Sequence, residues 1–432
     1  MQTRISGSAL SLRRQALGYL QRRLAGDPVP IRLVLWDGEA FDLAPAPTVT
    51  ITIRSRAVLR LLLTGNMGRL GDAYAAGDLT VDGPIEDVLR SGLKLADRIG
   101  KSAAFSRLAQ LAALAARVRR RHSRRADAAA ISHHYDVSND FYGLWLDRNM
   151  IYSCAYFRTG SEDIDTAQEQ KLEHICRKLR LSPGERLLDI GCGWGGLLRF
   201  AALRYGVSGV GVTLSAEQHR FATEWNLAEG LADRVEFRLQ DYRDIPGASC
   251  FDKIVSVGMY EHVGLANQLL YFQIIARLLK PGGVLLNHGI VVTDAEARAQ
   301  GPPGGEFINR HVFPGGELPH VSGLLYEVAR SGLEPVDMED LRPHYAQTLL
   351  HWSRRLETHA SEACRLAGPE RFRVWRVFLP GMAHAFDRGW LSVVQVLAYK
   401  PLPTGMAPRP WTRGYQYARV DSPALATGCN VA

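Results

Sequence analysis

Paired cysteines are missing from this chain. Its six cysteines (Cys154, Cys176, Cys192, Cys250, Cys364 and Cys429) are scattered and form no C-x-x-C pair. That argues against a zinc site or a disulfide framework and fits a reducing cytoplasm. No apolar run approaches the ~20 residues that a membrane span needs. Arg4, Arg13 and Arg14 near the start are not followed by the apolar segment of a signal peptide. Acidic residues are in deficit: 52 Lys and Arg against 44 Asp and Glu leave a net charge of +8 and a pI near 9.2. A surplus of that size favours an anionic partner. No nucleic-acid module is recognisable and the basic run lacks interleaved aromatics, so an anionic membrane surface is preferred over nucleic acid. What is present is ample: 432 residues, 46% of them hydrophobic, are enough for two or three domains, each with a core.

Taken in order, residues 1–104 read as a small α/β domain with no evident chemistry. A basic segment opens it, strands are expected at 31–36 and 49–53, and helices at 56–63 and 84–95, the last with Pro84 in its first turn. Residues 105–130 form the sharpest composition shift. Phe105, Leu108, Leu111 and Val118 recur at helical spacing and run into Arg117-Val118-Arg119-Arg120-Arg121-His122-Ser123-Arg124-Arg125. This basic amphipathic helix reads equally as a membrane-surface contact or as a solvated interdomain linker. The stretch 126–157 is dense in aromatics and histidine and reads as a cap. From residue 185 strands and helices alternate, with strands expected at 186–190, 207–212, 235–239, 252–257, 282–288, 334–339 and 391–399. Helices are expected at 195–205, 215–230 and 266–279, and from 321 and 346. That pattern predicts a doubly wound, mostly parallel seven-stranded α/β sheet of Rossmann type. Residues 291–320 interrupt it with two glycine-proline clusters and are placed to act as a lid. Residues 401–432 read as a mobile tail.

The stretch Leu187-Leu188-Asp189-Ile190-Gly191-Cys192-Gly193-Trp194-Gly195-Gly196 organises the rest. A short apolar strand passes through a glycine-rich turn into a helix, the opening of a nucleotide-binding βαβ unit. The D-x-G-x-G-x-G-G pattern, with an acidic residue just before the turn, fits an S-adenosylmethionine (SAM) site better than a dinucleotide site. Ligands in open parallel sheets sit outside the carboxyl ends of the strands. The residues falling there are Gly191 and Gly193, then Thr213, Leu214 and Ser215 with Gln218 one turn on, then Asp241 and Tyr242, then Glu261, and finally His288 to Ile290. Glu261 and His288 are therefore expected to be neighbours, with Tyr152 and Cys154 reaching them from the cap. Taken singly, Cys154 reads as a small buried hydrophobe, His288 as a core histidine and Glu261 as a helix cap. Their convergence is what makes them a candidate site.

Together these stretches resemble the cyclopropane-fatty-acyl-phospholipid synthases and the mycolic acid cyclopropane synthases. The matching segments are His133-His134-Tyr135-Asp136, Tyr152-Ser153-Cys154-Ala155-Tyr156-Phe157, the glycine stretch, Gly211 to Ser215, Tyr260-Glu261-His262-Val263-Gly264, Phe313-Pro314-Gly315-Gly316-Glu317-Leu318-Pro319 and Pro343 to Leu349. The resemblance covers 126–400 closely and implies a catalytic domain over 131–400, with a lipid-handling domain before it. It implies methyl transfer from SAM to a cis double bond of an unsaturated phospholipid acyl chain, then loss of a proton from the carbocation to bound bicarbonate, closing a cyclopropane ring. Residues matching the bicarbonate site are Cys154, Glu261, His288, the backbone at Ile290, and Tyr345. Those matching the SAM site are Tyr152, Ser153, Asp189, Gly191, Gly193, Thr213, Leu214, Ser215, Gln218, Asp241 and Tyr242. No metal is implied. A homodimer and a peripheral position on the inner membrane face are also implied. The aromatic rings of Tyr135, Tyr152 and Phe157 are suited to face a sulfonium or a carbocation. Three other outcomes stay open at this level: a methyl-branched or methylene chain from the same cation, methylation of a small molecule, and lipid binding without catalysis.

Overall fold

The computed structural model describes residues 30–64, 66–89, 138–295, 305–314 and 316–417, with Gly18 and Gly92. The expected basic helix at 105–125, the His133–Asp136 segment, residues 90–91 and 93–95 of the expected 84–95 helix and residues 418–432 lie outside the described residues.

The N-terminal domain is a four-stranded sheet of β1 (Ile31–Val34), β2 (Ala40–Asp42), β3 (Val49–Ile53) and β4 (Leu79–Asp82), in the order β2-β1-β3-β4. Strands β1 and β3 are parallel and the other pairs antiparallel. Alternation in β3 sends Val49, Ile51 and Ile53 inward, where they meet Leu33, Val58, Leu59 and Tyr74. Helices α1 (Arg56–Thr64) and α2 (Met67–Ala76) cover that face. Strand β2 and helix α2 were not visible as elements in the sequence. Helix α2 ends on Gly77 in the left-handed conformation, a common helix stop.

The large domain holds a seven-stranded sheet. Its strands are β5 (Arg186–Ile190), β6 (Ser208–Thr213), β7 (Val235–Leu239), β8 (Phe251–Val257), β9 (Leu279–Val292), β10 (Glu334–Asp340) and β11 (Leu391–Tyr399). Their order is β10-β11-β9-β8-β5-β6-β7, and only β11 runs antiparallel to its two neighbours. Both faces are buried, as a parallel sheet requires. On one side Leu187, Val255 and Leu286 pack under α4 (Ile164–Leu179) and α5 (Gly196–Tyr205); on the other Leu188, Ile254 and Leu285 pack under α7 (Gln268–Leu278) and α9 (Val321–Arg330). Helix α6 (Ala216–Ala228) leads from β6 toward β7. All seven strands fall where the sequence places them, although β9 extends to 279–292.

A third layer sits over the carboxyl edge. It consists of α3 (Asn139–Gly143), α10 (Arg342–Thr358), α11 (Ala360–Ala367) and α12 (Pro369–Asp387), and it has its own core of Phe141, Tyr142, Trp145, Trp352, Trp375 and Phe386. The cap segment looks too polar for a core in sequence, yet Phe141, Tyr142 and Trp145 are fully buried. Helix α10 starts four residues earlier than expected, because Pro343 occupies its first turn, where a missing N–H costs nothing. The candidate lid contributes α8 (Gly305–His311), whose Phe307 packs against Gly71 of α2 while Arg310 and His311 pair with Asp72.

Arg376 of α12 joins the two domains. Its guanidinium donates to the Tyr74 hydroxyl (3.2 Å), the carbonyls of Val81 (3.2 Å) and Gly83 (3.3 Å), and both Glu357 oxygens (2.6 and 3.0 Å). Arg376→Met keeps the apolar stem but leaves Glu357 and two carbonyls unpaired. It is expected to lower stability by about 2–4 kcal/mol, read as a lower urea midpoint. An unchanged midpoint would show that the junction contributes nothing.

Candidate active site

The carboxyl ends of β5, β6 and β8 and the cap residues 150–153 enclose a pocket over the glycine turn. Gly191 shapes its floor. Its φ is +81°, and a Cβ there would lie 2.7 Å from Met259 Cβ, so only glycine fits without strain. The turn feeds α5, whose free N-terminal N–H groups favour an anionic or polar ligand at that end.

Of the eleven expected SAM residues, nine line the pocket: Tyr152, Ser153, Asp189, Gly191, Gly193, Thr213, Leu214, Gln218 and Tyr242. Thr213 Oγ donates to Gln218 Oε1 at 2.9 Å, and both are buried. They form one polar unit at the end of β6, where an acidic residue is absent. Ser215 does not reach the pocket; it caps α6 by accepting the Gln218 N–H at 3.2 Å. Asp241 does not reach it either. Its carboxylate is held by Arg243, with Nη2–Oδ2 at 2.7 Å, and Arg243 itself lines the pocket.

Sequence reasoning missed Lys171. It is 1% exposed, lines the pocket from α4, and donates from Nζ to Ser153 Oγ at 2.8 Å. Burial pulls its ammonium down to about 8, against the opposing pull of Asp147, Cys154 and Asp189. Burial pushes Asp189 up to about 7, while the Lys171 charge acts to lower it. A signal existed: Ile164, Gln168, Lys171 and Ile175 recur at helical spacing on the apolar face of α4.

The second group is tied together through β9 and Leu341. Ile290 N–H donates to Glu261 Oε1 at 2.6 Å, and Gly258 N–H to the His288 carbonyl at 2.9 Å. His288 and Ile290, two apart on β9, lie on one face of the sheet. Leu341 ties in the others. Its N–H bonds the Val393 carbonyl opposite Ile290, and its own carbonyl accepts the Tyr345 N–H (3.0 Å) and lies 3.8 Å from Cys154 Sγ. These five residues do not line the pocket itself, but Cys154 and Glu261 are each adjacent in sequence to residues that do.

Their protonation follows from burial. Glu261 is pushed up to about 7 by desolvation, only partly offset by backbone N–H groups, that of Ile290 among them. His288 is held well below its usual range by burial, with Lys171 and Lys178 adding to the effect, so its imidazole is neutral. The Gln395 amide donates to His288 Nδ1 at 3.1 Å, which places the ring proton on Nε2. Burial pushes the Cys154 thiol far up, and its Sγ–H faces the Ala155 carbonyl at 3.2 Å, so it is a thiol and not a nucleophile. Glu261 Oε2 and His288 Nε2 are buried without a partner among the described residues.

Tyr152, which lines the pocket, is backed by an aromatic cluster of the cap core. The Tyr152 ring lies 5.8 Å from Tyr142, 5.5 Å from Trp145, 5.2 Å from Trp352 and 5.8 Å from Trp375. Phe157 is not part of it; its ring stacks on His351 at 5.5 Å, and Tyr135 lies outside the described residues.

The comparisons with known proteins agree with this geometry. The family described as mycolic acid cyclopropane synthetase matches residues 122–396. The chain belongs to that family. Residues 22–103 match a second family, described as a domain of unknown function. A probable fatty acid methyltransferase of Pseudomonas putida is 46% identical over 93% of this chain and the whole of that protein. The cyclopropane-fatty-acyl-phospholipid synthase of Escherichia coli K12 is 40% identical over 63% of this chain and 68% of its own. A solved mycolic acid cyclopropane synthase, complexed with S-adenosylhomocysteine (SAH) and CTAB, superposes with a TM-score of 0.60 at 33% identity, over 63% of this chain and 98% of that one. As a member of this family the chain is a SAM-dependent methyltransferase acting on lipid. No helix among the described residues is long and apolar enough to cross a membrane.

Proposed function

We propose that this enzyme transfers the methyl of SAM to a cis double bond of an unsaturated phospholipid acyl chain and that the carbocation so formed closes to a cyclopropane ring. The observation that carries this reading is that Glu261 Oε2 and His288 Nε2 are both buried without a partner among the described residues, in a domain whose cap packs Tyr152 against tilted and edge-on aromatic rings. Methyl transfer to oxygen or nitrogen would place a base on the nucleophile itself, to take its proton before or during the transfer. An alkene offers no acidic proton, so the base must act only after the cation exists. A small oxyanion would satisfy both atoms in kind: the His288 Nε2–H would donate to it, and ionised Glu261 would accept its O–H. Bicarbonate held there by Cys154, Glu261, His288, the Ile290 backbone and Tyr345 would supply the base that removes the proton. Tyr152 would present its π-face to positive charge, and Trp145 and Trp352, buried behind it, would help exclude water that would quench the cation.

The remaining parts of the reading follow from charge. The net charge of +8 suits an anionic bilayer, with the basic segment 105–125 as the docking element and 1–104 as the domain that handles lipid. The protein would then sit peripherally on the inner membrane face, and a homodimer would present two such surfaces.

A second reading shares the first step. Loss of a proton elsewhere gives a methyl-branched or methylene chain, and the 46% identical relative is named a probable fatty acid methyltransferase. Mass spectrometry of products from SAM and vesicles of unsaturated anionic phospholipid separates the two. Gain of one CH2 with loss of the alkene and a ring on fragmentation is the expected result. A methyl branch or retained unsaturation would establish the second reading. No mass change despite SAM binding would remove the acyl chain as substrate.

A further inference from the structure

The methionine end of SAM is a zwitterion, with one carboxylate and one ammonium. A buried site that takes it must offer one charge of each sign, because an unpaired ion in low dielectric is costly. Among the residues lining the pocket, Asp189 is the one carboxylate. The cationic candidates are Lys171 and Arg243. Arg243 is already committed to Asp241 through short contacts from Nε and Nη2. Lys171 is not: among the described residues its ammonium makes one hydrogen bond, to the neutral Ser153 hydroxyl, and no ion pair within 4 Å. An ammonium carries three donors, so two N–H groups of a 1%-exposed lysine have no protein acceptor.

We propose that Lys171 binds the carboxylate of the methionine moiety of SAM, with Ser153 fixing the direction of its Nζ and Asp189 serving the adjoining ammonium. The placement agrees with the polarity of the rest of the pocket. Thr213 and Gln218, uncharged and bonded to each other, stand at the end of β6 and suit hydroxyls. The charged residues Asp189 and Lys171 come from β5 and α4, Asp189 one residue before the end of its strand and Lys171 from the helix packed on the sheet. The same lysine contributes to the field that keeps His288 neutral, so the carboxylate it binds also screens its charge from that imidazole. The inference rests on SAM as the methyl donor but not on the fate of the lipid cation. A wrong product assignment leaves it untouched.

Calorimetry on the full chain tests it with two ligands, SAH and the decarboxylated analogue of SAH. The unmodified protein is expected to bind the decarboxylated analogue at least about 30-fold more weakly than SAH, the range of a buried charge pair. Lys171→Met is expected to weaken SAH by about the same factor and to change the analogue by less than about twofold. If Lys171 only holds Ser153 and Asp189 in place, the substitution weakens both ligands alike, and the proposal fails. Equal affinity of the unmodified protein for the two ligands overturns it as well, and that measurement needs no variant to fold.

Discussion

Glu261→Gln is expected to cut turnover by about 10²–10⁴-fold while leaving SAH affinity within about threefold. Glutamine keeps the acceptor that Ile290 N–H uses at 2.6 Å. It replaces the unpartnered Oε2 by an NH2, a donor facing another donor, so an oxyanion with a hydroxyl is misoriented. The effect has a pH signature. Burial lifts Glu261 to about 7, so at saturating bicarbonate the turnover of the unmodified enzyme should rise through that pH, and this limb should be absent in the variant. Stability moves the other way. A carboxyl lifted on folding holds its proton longer in the native state, so its contribution is fully present below pH 4.5 and is lost as pH climbs to about 7. Glu261→Gln should therefore be neutral at pH 4.5 and more stable than its parent by roughly 1–3 kcal/mol at pH 8. A variant that is inactive yet no more stable at pH 8 would mean that Glu261 is not buried as an acid.

Gly191→Val should abolish SAH binding in the micromolar range and destabilise the domain by about 2–4 kcal/mol. Two penalties add here. Positive φ strains any β-branched residue, and the new Cβ meets Met259 at its Cβ and Cγ, 2.7 and 2.8 Å away. Met259 cannot retreat by rotation alone, since its own Cβ is one of the atoms struck. Gly193 has φ +56° but open space beside it. Gly193→Ala should cost less than Gly191→Val in both measurements. Calorimetry and urea denaturation on the two variants check the order, and a reversed order would show that approach to the ligand, not the Met259 contact, sets the constraint.

Much of this was legible because it is periodic or topological. Apolar runs marked the seven strands, and the rule that sites lie at carboxyl ends put Glu261 beside β9 although 26 residues separate it from His288. Other features had no such signature. Trp145, Trp352 and Trp375 form one box from segments more than 200 residues apart, and nothing local announces a partner so distant. Asp241 sits at the right strand end, but Arg243, two residues on, captures it first. Lys171 is a charge on an apolar helix face, which averaging over the helix conceals and position reveals.

Strand β11 has a bearing on biosynthesis. It lies between β9 and β10, and its Gln395 sets the tautomer of His288. The pocket is built from residues 150–263. A ribosome must therefore release more than a hundred further residues before the histidine is oriented. A product truncated ahead of Leu391 would keep every residue that lines the pocket and lose the strand that pairs with both β9 and β10.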